Sequence, residues 1–136
     1  MLAACGCQGK TVITGAAREP EIVDLQDFLR KTGVHITGAG TSRICIQGGV
    51  SQDRVEHTVI GDRMAGATYL CAAAAAGGSI ELTGLEPEHL ACVLAVLEEA
   101  GCRITQEKDQ ITLHSSGQLH GVRPVRTAPY PGFPTD

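Results

Sequence analysis

Acidic side chains beside prolines, and a few arginines, are the residues of this chain whose types could do chemistry. Glu19 and Glu21 flank a proline, Asp62 precedes Arg63, and Asp136 ends a proline-rich stretch. Carboxylates can move protons and an arginine can bind an anion. From the residues alone, the two glutamates equally fit the first turn of a helix, where the helix dipole favours acids. Asp136 equally fits a polar tail, and an isolated arginine is more often solvated.

The proline-rich stretch covers residues 126–136 and holds three of the six prolines. Proline fixes φ near −65° and moves the residue before it out of the helical region. We therefore predict a stiff, extended loop rather than a floppy tail. Its last residues, Thr135 and Asp136, resemble a helix N-cap, because such side chains satisfy free backbone amides.

The cysteines and histidines do not predict a metal site. There is no C-x-x-C pair and no Cys/His cluster at zinc spacing. The five histidines share no helical face or ligand spacing. We therefore expect reduced, structural cysteines in a reducing compartment and no metal or other cofactor. The six cysteines are Cys5, Cys7, Cys45, Cys71, Cys92 and Cys102.

Composition narrows the function classes. The 136 residues suffice for a real core, which must be aliphatic because only 3 % are aromatic. A formal net charge of −4 offers no basic surface for nucleic acid. The longest apolar run, Ala65 to Ala76, is well short of the roughly 20 residues that a membrane span needs. We expect a cytoplasmic protein that binds neither nucleic acid nor membrane.

Two segments of the chain share one pattern, in which a strand and a glycine lead to Glu-Pro-Glu and an amphipathic helix. The strands lie at 10–15 and 78–84, and each helix ends at a glycine, Gly33 or Gly101. The spacing predicts one buried stripe per helix. The stripes are Ile22, Leu25, Phe28 and Leu29 in the first helix, and Leu90, Val93, Leu94 and Leu97 in the second.

Two short strands are predicted after each glycine, at 34–37 with 43–47 and at 102–105 with 110–114. Gly38 and Gly40 form a G-x-G between strands, which predicts a β-turn rather than a phosphate cradle. We also predict strands at 57–60 and 121–126, an alanine-rich helix at 62–76, and the end of a helix at 1–7.

These elements predict an α/β fold of repeated βαβαββ units. Residues 1–48 form a partial unit, 49–56 a polar glycine-rich linker, 57–114 a complete unit, and 115–136 the start of a third unit that ends in the proline-rich loop. Because the first and last units are incomplete, we expect the chain to be an internal segment of something longer.

Three stretches resemble the enolpyruvyl transferase family, in its branch that acts on UDP-N-acetylglucosamine. They are AREPEIVDL at 17–25, the Asp62-Arg63 segment that runs to Leu70, and TAPYPGFPTD at 127–136. In the second stretch the family's glycine is shifted by one place or Ala67 is inserted. The resemblance implies an inside-out barrel of βαβαββ units in two lobes, with residues 1–48 at the end of one lobe and 57–114 at the start of the other.

The resemblance also implies a reaction. The enolpyruvyl group of phosphoenolpyruvate is transferred to the 3-hydroxyl of UDP-N-acetylglucosamine with release of phosphate, which serves peptidoglycan synthesis, cell-wall biogenesis, cell shape and division. Asp136 matches the family's catalytic, substrate-contacting aspartate, while Glu19, Glu21, Asp62 and Arg63 match substrate-binding residues at the cleft. The family's reactive-cysteine loop has no match here, so we expect the chain alone to be inactive.

Two other interpretations stay open at this point. One is a split or degenerate paralogue that acts as a non-catalytic sugar-nucleotide or protein-binding module. The other is a structural α/β domain that self-associates through exposed apolar helix faces.

Overall fold

The computed structural model describes residues 1–49 and 54–134. The chain divides into two compact units, Met1–Val59 and Ile60–Asp136. Each unit has one three-stranded antiparallel sheet with helices, and this mixture of helices and strands confirms the predicted α/β class.

The first unit packs one long helix on its sheet. Its sheet has the strand order β1-β3-β2. The predicted stripe of the long helix is confirmed, since Leu29 is buried and the other three members pack against the core formed by Ile36, Ile44 and Ile46. The elements are α1 (Leu2–Cys5), β1 (Gly9–Thr14), α2 (Pro20–Lys31), β2 (His35–Thr37) and β3 (Arg43–Gly48).

The second unit has the corresponding strand order, β4-β6-β5, and a larger core. All four residues of the predicted second stripe are buried, together with Leu70, Ile111 and Leu113. The elements are α3 (Arg63–Ala76), β4 (Gly78–Thr83), a 3₁₀ turn (Pro87–Leu90), α4 (Ala91–Glu99), β5 (Arg103–Glu107) and β6 (Gln110–Ser115).

Both α2 and α4 end at a glycine, as predicted. At the end of α2 the Gly33 amide donates to the carbonyl of Arg30, and the next amide donates to that of Leu29. Gly101 ends α4 in the same way, and both glycines have positive φ, 90° and 105°. The G-x-G segment is confirmed as a turn between β2 and β3, closed by the Thr41 amide on the Gly38 carbonyl at 3.1 Å.

Two predicted strands are wrong. Residues 57–60 and 121–126 pair with neither sheet in the described part of the chain, so the unit at 57–114 lacks its first strand. Alternating side chains predict a strand, but a strand also requires a partner for its N–H and C=O groups. The helix at the N-terminus is also shorter than predicted, because it covers Leu2–Cys5 rather than residues 1–7.

Candidate functional site

Asp62 occupies the N-cap of α3. Its carboxylate Oδ1 accepts hydrogen bonds from the backbone amides of Met64 at 2.9 Å and Ala65 at 3.0 Å. The first amides of a helix have no partner within the helix, so these bonds stabilise its start. Asp62 therefore has a structural role in the second unit, and its exposed side chain can also face a ligand.

Replacing Asp62 tests its structural role. Asp62→Ala is expected to lower the free energy of unfolding of the second unit by about 0.5–2 kcal/mol, because two amides lose their acceptor. Asp62→Ser keeps a capping oxygen without the charge and is expected to retain most of that stability. Urea unfolding followed by circular dichroism measures both. Equal losses for alanine and serine would contradict the capping role.

The start of α3 lies directly on the segment Gly84–Leu85. A side-chain carbon at Gly61 would meet the Gly84 carbonyl oxygen at 2.0 Å, and one at Gly66 would meet Leu85 Cδ1 at 2.6 Å. Gly61 therefore requires glycine, because the atom it meets belongs to the backbone. A side chain at Gly66 would instead have to displace the end of the Leu85 side chain. This close packing fixes the start of α3, where Asp62 and Arg63 lie.

The proline-rich loop is closed, so the predicted extended shape is wrong. Thr127 and Phe133 form an isolated bridge, and the Ala128 amide donates to the Phe133 carbonyl at 3.0 Å. The Gly132 amide donates to the carbonyl of Pro129 at 2.9 Å, and the Tyr130–Pro131 peptide bond is cis. The chain turns back because Phe133 packs against the hydrophobic core of the second unit.

Arg63 and the proline-rich loop are in contact. The Arg63 guanidinium carbon lies 5.4 Å from the centroid of the Tyr130 ring, within the range of a cation–π interaction. On another side of the loop, the Cys92 thiol donates to the Gly132 carbonyl at 3.5 Å. Sequence reasoning chose Arg63 and the loop separately but missed Tyr130 and Cys92, because no local pattern relates α3, α4 and the loop.

Glu19 and Glu21 lie at the start of α2 in the first unit. Glu19 is the N-cap residue, but its side chain makes no capping hydrogen bond. Its Oε2 atom is buried and has no partner among the described residues. A buried, unsatisfied oxygen is costly, and functional sites are where such costs are often retained. Glu21 is exposed in the first turn of the helix.

Asp136 lies outside the described residues, three positions beyond Phe133. Within the second unit, Arg63 contacts the proline-rich loop, and Asp62 directly precedes Arg63 in the chain. Glu19 and Glu21 share the start of a helix in the first unit.

The family is decided by comparison with known proteins. The model of the family described as EPSP synthase (3-phosphoshikimate 1-carboxyvinyltransferase) matches residues 1–136. The chain belongs to this family. The family-level resemblance read from the sequence is thereby confirmed.

Curated relatives in this family are UDP-N-acetylglucosamine 1-carboxyvinyltransferases. The chain is 47% identical to that of Kosmotoga olearia over 99% of its own length, and 48% identical to that of Afipia carboxidovorans over its whole length. It is 47% identical to UDP-N-acetylglucosamine 1-carboxyvinyltransferase 2 of Streptococcus pyogenes. In each case it spans 32% of the relative, about a third of the length of these enzymes.

A solved structure of a family member has the same fold. The enolpyruvyl transferase NikO from Streptomyces tendae matches 98% of this chain with a TM-score of 0.78 and 26% identity. The match covers 32% of that protein. A three-stranded sheet with helices, as found in each unit, is therefore shared with a solved member of the family.

The Cys71 thiol shows no sign of activation. All six cysteines are free, and the pKa of Cys71 is raised, first by partial desolvation and then by the nearby Cys102 thiol. A raised pKa keeps a thiol protonated, whereas a nucleophile needs the thiolate.

In residues 1–49 and 54–134, no group of three or more His, Cys, Asp or Glu side chains could hold a metal ion.

The segment after β6 is attached to α4 by charge. The Arg123 guanidinium makes two hydrogen bonds of 3.1 Å to the Glu99 carboxylate, and its backbone amide adds a third at 3.0 Å. These bonds lower the pKa of Glu99, so that carboxylate is ionised at neutral pH.

Of the helices in the described ranges, none is both long and apolar enough to cross a membrane.

Proposed function

We propose that this chain forms part of a cytoplasmic transferase that moves the enolpyruvyl group of phosphoenolpyruvate to the 3-hydroxyl of UDP-N-acetylglucosamine. Phosphate is the other product, and the sugar nucleotide then enters peptidoglycan synthesis. The observation that carries this proposal is the 47–48% identity to curated UDP-N-acetylglucosamine 1-carboxyvinyltransferases over 99–100% of the chain. Within the proposal, residues 1–48 end one lobe, 49–56 cross over, 57–114 begin the other lobe, and 115–136 begin its next unit.

Asp136 would handle the proton of the attacking sugar hydroxyl. A general base must stay within hydrogen-bond reach of its proton, which requires a well-held loop. The loop before it is held by Phe133 on the core, by Tyr130 against Arg63, and by the Cys92 thiol on Gly132. These contacts support a short, preorganised approach to Asp136.

The other site residues would bind substrate rather than carry protons. Arg63 is half-buried against an aromatic ring, and a positioned guanidinium suits the anionic groups of a sugar nucleotide or of phosphoenolpyruvate. Glu19 holds a buried carboxylate oxygen that has no partner in the described structure and can accept a hydrogen bond from a sugar hydroxyl. Asp62 directly precedes Arg63, and Glu21 lies two residues after Glu19, so both would contribute to the same surfaces.

A chimera tests the proposal. The segment of the Kosmotoga olearia relative that aligns with this chain is replaced by residues 1–136, and phosphate release from phosphoenolpyruvate and UDP-N-acetylglucosamine is measured. We expect transferase activity from the chimera and none from the 136-residue chain alone. Omission of the sugar nucleotide is the control, and it should abolish phosphate release.

The opposite outcomes are equally informative. A chimera that folds and yet releases no phosphate would contradict the proposal and favour a non-catalytic sugar-nucleotide or protein-binding module. Activity of the chain by itself would contradict the expected dependence on the remaining two thirds of the enzyme.

Size-exclusion chromatography of the chain alone tests self-association through apolar helix faces.

A further inference from the structure

An aspartate–histidine pair in the first unit lies apart from the residues proposed for chemistry. The Nε2 atom of His57 lies 2.9 Å from Oδ1 of Asp24, and these side chains are only 11% and 15% exposed. Asp24 belongs to α2, whereas His57 belongs to the segment 54–59, which has no regular secondary structure. The hydrogen bond therefore attaches this segment to the helix.

Two further contacts attach the same segment to the same face of α2. The ring of Phe28 meets the His57 ring edge-on, with centroids 5.6 Å apart and an angle of 66° between planes. The Lys31 ammonium donates to the Glu56 carbonyl at 3.2 Å. Asp24, Phe28 and Lys31 follow the spacing i, i+4, i+7, so one stripe of α2 holds the segment.

One nitrogen of the His57 ring opposes this attachment. His57 Nδ1 is buried and has no hydrogen-bond partner among the described residues. A buried polar atom without a partner destabilises the attached form. That penalty disappears when the segment leaves the helix, because the nitrogen can then bind water. The hydrogen bond to Asp24 and the ring contact favour the closed form, while the unpaired nitrogen favours the open one.

We propose that the Asp24–His57 pair is a latch that decides whether the segment 54–57 is held on α2. With the latch closed, the segment lies on the helix through His57 and Glu56. With the latch open, residues 54–57 leave the helix. The pair thus controls the release of this segment, which is a conformational role independent of the transfer chemistry.

Trypsin cleavage after Arg54 reports on the latch in the full chain, because Arg54 is exposed and belongs to the released segment. His57→Phe keeps a ring against Phe28 but loses the hydrogen bond, and we expect cleavage after Arg54 to become about tenfold faster. His57→Gln restores a donor and is expected to return the rate most of the way to that of the unmodified chain. His35→Ala, on an exposed strand position, is the matched control and should leave the rate unchanged.

Cleavage after Arg18 and Arg126, which belong to neither the segment nor α2, separates latch opening from general destabilisation. Faster cleavage after Arg54 alone, reversed by His57→Gln, supports the latch. An unchanged rate after Arg54 in His57→Phe, or an equal increase at all three arginines, would overturn it. Combining His57→Phe with Asp24→Asn completes a double-mutant cycle, and additive effects would likewise argue against coupling.

Discussion

Asp136→Asn in the active chimera is expected to lower kcat by a factor of about 10²–10⁴, the range that general acid–base groups contribute. Asparagine has the same shape as aspartate but cannot take up the proton of the sugar hydroxyl. The KM for UDP-N-acetylglucosamine should change much less, because most of the sugar contacts remain. Steady-state phosphate release at varied sugar-nucleotide concentration gives both values.

A matched control for this change is Asp109→Asn. Asp109 is an exposed acid in the turn between β5 and β6, where its backbone carbonyl accepts hydrogen bonds from Gly84 and Leu85. The side-chain change leaves that carbonyl in place, so activity should be unaffected. If Asp136→Asn retained more than about half the activity of the chimera, the proton-transfer role of Asp136 would have to be abandoned.

Leu94→Ala is expected to lower the free energy of unfolding of the second unit by about 2–5 kcal/mol. Leu94 is 1% exposed and lies in the cluster that joins α3, α4 and β6. Truncation there loses buried apolar surface and leaves a cavity, because the neighbouring side chains can only partly relax. Urea unfolding of the full chain, followed by circular dichroism, measures the change.

Leu119→Ala is the control for that experiment, because Leu119 is 42% exposed in the segment after β6. A surface leucine of this kind should contribute within about 0.5 kcal/mol. Because the chain divides into two compact units, the comparison concerns the unfolding transition that Leu94→Ala shifts. Losses of similar size for the two leucines would contradict the proposed core.

Predictability from sequence differs between the helices and the irregular segments. The stripes of α2 and α4 follow from spacing alone, since a 3.6-residue period places their apolar side chains on one face whatever the rest of the chain does. The glycines that end these helices follow from the need for a positive φ, and the structure confirms both. The predictions of strands at 57–60 and 121–126 were wrong, because a strand exists only with a hydrogen-bonded neighbour.

The candidate site shows the same division. The acids at the start of α2, the Asp62-Arg63 pair and the proline-rich loop were selected from sequence motifs. Their surroundings were not. Arg63 against Tyr130, Cys92 on Gly132 and His57 on Asp24 join residues far apart in sequence, and in each pair neither residue type predicts the other.

The sequence by itself determined the α/β class, the helices of both repeats, the hairpin turns and the family, because these depend on local periodicity, turn chemistry and long motifs. Tertiary structure alone decided that the proline-rich loop closes on the core, that Asp62 caps α3, and that the segment 54–59 is attached to α2 rather than paired in a sheet. Those outcomes depend on which surfaces meet after folding. Burial, close packing and hydrogen-bond partners are properties of that encounter, and no single stretch of residues carries them.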